Sequence, residues 1–309
     1  MKAENRRAVI AALFANLGLA IAKFVGYGAT GAASLLAEAV HSVADTTNQV
    51  LLLWGGRAAA RKPTPDHPYG FGRERYFWSF AVALVIFTLG GGFAIFEGVS
   101  KFIHPHEVTN PGWAIGILSV GILMEGASLR IAVRAARKSR GQSSWWQYVK
   151  RSRNPELPVV LLEDLGAVLG LSVALIGISL ASLTGNGRYD ALGSIFIGIL
   201  LCFIAVILAI ELKSLLIGEP ATAEEEDLIR GALLDDTAVQ RLIHMRTQHM
   251  GPDQVLVGTK LHFDPNLSMQ QLAEAINRAE ERVRAAVPTV RIIYIEPDLY
   301  IEPRSATPD

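Results

Sequence analysis

The chain reads as an α-helical membrane protein: six transmembrane helices, then a C-terminal cytoplasmic α+β domain. Three observations predict this. Half of the 309 residues are hydrophobic and 19% are charged, with a mean hydropathy of +0.31. Six stretches, near 8–30, 34–57, 77–103, 112–135, 157–183 and 189–217, are long and apolar enough to cross roughly 30 Å of hydrocarbon. From Glu219 onward the pattern changes to capped helices and alternating strands. The expected domains are therefore 1–218 in the membrane and 219–309 outside it.

The first span follows Lys2, Arg6 and Arg7, as in a signal peptide. It is too long for such an apolar region, and a second span follows at once. The second-to-third connection carries Arg57, Arg61, Lys62, Arg73 and Arg75. The fourth-to-fifth carries Arg130, Arg134, Arg137, Lys138, Arg140, Lys150, Arg151 and Arg153. The opposite side has only Lys101 and Arg188. The positive-inside rule then puts both termini in the cytoplasm. Trp145, Trp146 and Tyr148, in SSWWQYVKRSRNP, anchor that connection at the membrane surface.

Beyond Glu219, Thr222-Ala-Glu-Glu225 and Ser268-Met-Gln-Gln271 read as capping boxes opening two helices. Segments near 239–246, 254–263 and 290–301 alternate as strands do. The order α-β-β-α-β makes a small α+β domain.

Several function classes drop out. Lys+Arg and Asp+Glu are both 29, so no basic excess points to nucleic acid. The single cysteine, Cys202, excludes a disulfide framework and any cysteine-based zinc cluster. No Gly-rich phosphate loop or GxSxG elbow is present. An intramembrane metal-dependent hydrolase lacks a second catalytic histidine. The chain is not expected to be an enzyme or to carry a cofactor.

The informative residues are polar groups inside apolar runs. His41 and Asp45 stand four apart in the second span, on one helical face. Ionisable groups in hydrocarbon mark ion or proton paths, and a carboxylate beside an imidazole is half of a first-row metal site. A buried His–Asp bond between helices is the structural alternative. The fifth span carries Glu163-Asp164, and Asp164 can join His41 and Asp45 across a bundle. Two carboxylates and a neutral imidazole cancel a divalent ion's charge. Water, Asn48, Glu163 or Glu38 can supply a fourth ligand. Asn48 and Glu38 share the His41–Asp45 face, whereas Glu163 points about 100° away from Asp164.

Mirroring the first two spans about a turn near residue 32 sets Lys23 beside Glu38 and Asn16 level with Asn48. An ion pair and a hydrogen bond there would join the hairpin. Glu97, Glu125 and Arg130 read as interhelical pairing or snorkelling groups, and Asp190 as a cap of the sixth helix. His104, His106, His67, His244, His249 and His262 carry weak signals.

HSVAD on the second span, ED on the fifth, HPYGFGRERYFW between spans two and three, and a tail with LIHMRTQHMG and IIYIEPD together resemble the cation diffusion facilitator family. The likeness covers nearly the whole chain. It implies a dimer that exchanges divalent cations for protons through a site on spans two and five. It also implies a ferredoxin-like, metallochaperone-like tail that helps dimerise. His41, Asp45 and Asp164 match three of four transport-site positions, and the fourth falls on Val160, which cannot bind metal. The Glu-Asp pair and Glu38-Ala-Val-His41 resemble a branch that includes an organellar zinc transporter. Phe71 stands where some members have a second loop histidine after His67. The tail positions used for zinc fall on Ile243, Thr259 and Tyr294, with Glu296 in the acidic place, so the tail is expected to bind little or no metal.

The expected function is a divalent cation/proton antiporter exporting zinc, or manganese, iron or cobalt, from the cytoplasm. The expected setting is the inner (plasma) membrane of a bacterium, with lipid around a homodimer. The alternative is a non-transporting member serving as partner or scaffold subunit, and Val160 is the feature in its favour.

Overall fold

The computed structural model describes residues 3–300; the side chains of residues 3–15, Ser139 and Arg151 lie outside the described set, and with them the basic residues Lys2, Arg6 and Arg7. The chain forms two compact units: Met1–Ala60 with Glu74–Lys213, and Arg61–Arg73 with Ser214–Asp309.

The first unit is helical. α1 (Ala3–Thr30) and α2 (Ala33–Ala59) form a hairpin. Gly31 turns it with φ +67°, a left-handed conformation natural to glycine. The Gly31 N–H donates to Tyr27 O at 2.7 Å. α3 (Glu74–Val85) runs through a π-helical segment, Ile86–Gly92, into α4 (Phe93–Ile103). α5 (Pro111–Arg140), the short surface helix α6 (Trp145–Arg151), α7 (Glu156–Thr184) and α8 (Arg188–Ile217) follow. A capping box at Ser144 and Gln147 opens α6.

Among the described residues, four rods are long and apolar enough to cross a membrane: Glu74–Ile103, Pro111–Lys138, Glu156–Thr184 and Arg188–Ile217. α2 is long enough in residues, but Glu38, His41, Asp45 and Asn48 dilute its apolar character. The polar residues that single α2 out also keep it from reading as a simple span.

Asp190, in the first turn of α8, caps a different helix from the one expected. Its carboxylate accepts from the N–H groups of Ala33 (2.5 Å) and Ser34 (3.1 Å) and from the Ser34 hydroxyl. The α2 N-cap, Ala32, has no side chain able to do this. A carboxylate at a helix N-terminus answers both the orphan donors and the helix dipole.

The second unit contains α9 (Ala223–Leu234), β1 (Val239–Gly251), β2 (Gln254–Phe263), α10 (Met269–Ala286) and β3 (Val290–Asp298). Both capping boxes form as read, Thr222 with Glu225 and Ser268 with Gln271. The sheet order is β1-β2-β3, with β1/β2 antiparallel and β2/β3 parallel. Strand β2 alternates buried and half-buried residues along its length. It meets α9 and α10 in a core that includes Ile229, Leu233, Val257, Leu261, Ala279 and Val283. Residues 61–73 belong to this unit: Gln254 Nε2 donates to Tyr69 O at 3.2 Å. The His67 ring lies 4.6 Å from Phe71, whose face also carries the Arg61 guanidinium at 4.0 Å.

Candidate metal site on the second and seventh helices

α2 presents the polar row that its spacing implies. Glu38, His41 and Asn48 are fully buried or nearly so, and the Asp45 side chain is 14% exposed. His41 Nε2 lies 3.6 Å from Asp45 Oδ2, too far for a hydrogen bond. Neither ring nitrogen of His41 has a hydrogen-bond partner, and neither has Asp45 Oδ1 or Asn48 Oδ1. Buried polar atoms are nearly always paired. A row of buried, unpaired acceptor atoms is what a desolvated cation would occupy.

On α7 the two acidic neighbours diverge, as about 100° per residue requires. Glu163 turns to α2 and accepts from Asn48 Nδ2 at 2.5 Å. Asp164 turns to α5 and accepts from Ser128 Oγ at 2.9 Å. The Asn48–Glu163 bond replaces the bond to Asn16 expected across the α1–α2 hairpin. Since α2 and α7 run antiparallel, that bond sets Asp164 level with Asp45–Thr47. Asp164 and Asp45 therefore stand at similar depth, because Asn48 pairs directly with Glu163.

Glu38 is engaged through one carboxylate oxygen, Oε2, while its Oε1 is unpaired. Lys23 Nζ lies 3.1 Å from Glu38 Oε2 and 2.7 Å from Ser42 Oγ, with all three residues buried. This is the expected hairpin ion pair. Val160 packs with Leu129 and Val133 against Ala132, Ala136, Tyr148 and Leu161, an apolar cluster.

His41 and Asp45 are thus adjacent, Glu163 joins them through Asn48, and Asp164 faces α5. Among the described residues, no three His, Cys, Asp or Glu side chains stand close enough together to hold one ion. Glu97 pairs at 3.2 Å with Lys101 of its own helix α4, rather than between helices as expected. Glu125 does not snorkel: it is only 8% exposed, on the α5 face that carries Ser128. Its signal in the sequence was a lone carboxylate three residues before a serine.

The model of the cation efflux transmembrane domain matches residues 9–217. The chain belongs to the cation diffusion facilitator family. It is 36% identical over 266 residues to the proton-coupled zinc antiporter SLC30A9, mitochondrial, of Xenopus laevis, covering 85% of this chain and 47% of that protein. It is 32% identical over 279 residues to metal tolerance protein C4 of Arabidopsis thaliana, covering 90% of this chain and 61% of that one. The chain spans about half the length of the curated relatives it matches. A nickel form of a MamM C-terminal domain aligns over 26% of this chain at 15% identity and a TM-score of 0.25. The chain is an integral membrane member of a family of metal transporters.

Proposed function

We propose that this chain exchanges a divalent cation, with zinc as the leading cargo, for protons, through a site built from His41 and Asp45 of α2 and Asp164 of α7. The observation that carries the reading is buried His41 beside half-buried Asp45, whose ring nitrogens and Oδ1 make no hydrogen bond. The relatives named as zinc antiporters support the choice of cargo. Metal binds only deprotonated ligands, so loading expels protons and protonation expels metal. An imidazole titrates near neutral pH and suits that exchange. Inward protons drive it by about 2.3 kcal/mol per charge per 100 mV, with about 1.4 kcal/mol more per pH unit.

Asn48 holds Glu163 through its amide nitrogen and leaves its oxygen free. It can therefore approach the same ion while steering Glu163. The Lys23 pair engages Oε2 of Glu38 and leaves its Oε1 unpaired. In this reading α1 and α2 also span the membrane, making six spans, and the excess of Lys and Arg on one side keeps both termini cytoplasmic in a plasma membrane. The tail dimerises two copies and binds little metal. Glu296, in the acidic position, is held by Lys260 at 3.0 Å, and Phe71 stacks on His67 in the loop.

The second reading, a non-transporting partner subunit, draws on Val160 and its apolar cluster. Proteoliposomes with a zinc-sensitive dye inside decide between the two. Zinc flux driven by an imposed pH gradient, with matching proton movement, is expected. Zinc flux that ignores the gradient and moves no protons points to a uniporter; no flux points to the partner subunit.

A further inference from the structure

The matched family position at Val160 offers no ligand, and its side chain is spent on packing against α5. A further buried carboxylate, Glu125, lies on α5 itself. Three helix registers fix the depth of Glu125. Gly121 of α5 meets Leu171 of α7, and Ser128 of α5 bonds Asp164 of α7. These helices run antiparallel, so Glu125, between the two contacts, is level with Ala167. Gly170 abuts Glu38 Oε1, and Glu163 bonds Asn48. That second register puts Ala167 level with His41–Ala44 on α2. A third, independent contact agrees: Gly26 of α1 meets Ile117 of α5. That register sets Glu125 level with Gly18 of α1, which the Lys23 bonds to Glu38 and Ser42 place opposite Val43–Thr47 of α2.

Direction agrees with depth. Glu125 and Ser128 are three apart and share a helical face, and Ser128 Oγ reaches the Asp164 carboxylate at 2.9 Å. Asp164 therefore points at the α5 face that carries Glu125, away from Glu163. Glu125 is 8% exposed and lies within electrostatic reach of Asp45, Asp164, His41 and Lys23. It makes no hydrogen bond or ion pair with any described residue. On the other side of the same level stand the unpaired ring nitrogens of His41, 1% exposed.

We infer that Glu125 is a ligand of the transported cation, supplied by α5 in place of the one Val160 lacks. This rests on the proposed transport site and names one more residue of it. The ion would then be held by a neutral imidazole and carboxylates from three helices. Oxygen-rich sets of this kind accept manganese or iron beside zinc. With a ligand on α5, loading also ties α5 directly to α2, two helices that α7 and α1 otherwise link.

The test uses the full chain, purified in detergent and in proteoliposomes, with zinc ion as the probe. Glu125→Gln keeps size and an oxygen donor, Glu125→Asp keeps the charge on a shorter arm, and Glu125→Ala removes both. Zinc affinity by calorimetry and metal-free thermal stability are measured for each, with zinc flux in parallel. Glu125→Ala is expected to weaken zinc binding at least tenfold and to reduce flux. Glu125→Gln should fall between it and the parent, and metal-free stability should be unchanged or raised in both, since a lone buried carboxylate is gone. Parent-like zinc affinity in both Glu125→Gln and Glu125→Ala overturns the inference, whatever their stability. Asp45→Ala is the reference. If it also binds and carries zinc like the parent, the transport site itself is wrongly drawn. If it fails while the Glu125 variants do not, only the role of Glu125 falls.

Discussion

Lys23 is the cation of a fully buried pair, and replacing it by methionine isolates what the pair contributes. Its Nζ contacts Glu38 Oε2 at 3.1 Å, Glu38 O at 3.4 Å and Ser42 Oγ at 2.7 Å. Neither side chain of the pair is more than 1% exposed. If only hydrogen bonds mattered, three lost contacts at about 0.6 kcal/mol each, the average between membrane helices, would total roughly 2 kcal/mol. The Glu38 carboxylate is also left buried and unpaired, and breaking a buried pair from one side costs about 3–5 kcal/mol. Lys23→Met is therefore expected to lose about 3 kcal/mol or more. Replacing both members by neutral groups of similar size is often close to neutral. The double variant Lys23→Met/Glu38→Gln should then recover most of the loss, a coupling of about 2 kcal/mol in the cycle. Reversible unfolding of the four proteins in mixed micelles reads each corner. Strictly additive effects would refute the reasoning, because the two side chains would then not be sharing one buried charge balance.

Two further predictions concern stability. Asp190→Ala strips the start of α2 of its acceptor and should destabilise the membrane unit by about 1–2 kcal/mol, read in the same unfolding assay, with Asp190→Asn losing less. In the second unit, Arg278 above all, then the Ala238 N–H and Arg282, holds the Asp236 carboxyl at about 2, below its ordinary 3.8. A carboxyl lowered on folding contributes stability above its unfolded value and loses it as pH falls toward the folded one. Acid between about pH 4 and pH 2 should loosen α9 and α10. Asp236→Asn should flatten that dependence in amide exchange corrected for intrinsic rates, while lowering protection at neutral pH.

Much of the fold was legible because local rules decide it. The capping boxes at Thr222 and Ser268 are short-range chemistry and form where read. The alternation of 254–263 matches β2 residue for residue. β1 runs on to Gly251, beyond the segment near 239–246, because Gln248 and His249 gain partners on β2 that no local pattern reveals. The Lys23–Glu38 pair followed from simple mirroring of a tight hairpin. Where mirroring failed, a third helix had intervened: Asn48 turned to Glu163 rather than Asn16, and Asp190 capped α2 rather than its own helix. The π-helical segment Ile86–Gly92 has no periodic signature either. Gly90 within it brings the backbone close to His41 Nδ1, 3.7 Å from where a methyl would sit. Glu125 was read as a pairing or snorkelling group because, as with Asn48, the groups that face it lie on other helices.

The most direct test of the transport site is the position of the bound metal. Crystals or frozen-hydrated particles of the zinc-loaded protein, with anomalous scattering at the zinc edge or an equivalent metal-difference density, locate it without reference to activity. The site proposed here predicts one strong peak between α2 and α7, with a histidine nitrogen and carboxylate oxygens at roughly 2.0–2.2 Å, from His41, Asp45 and Asp164, and no comparable peak in the tail. A peak bonded to none of those three residues, or found only in the second unit, would contradict it.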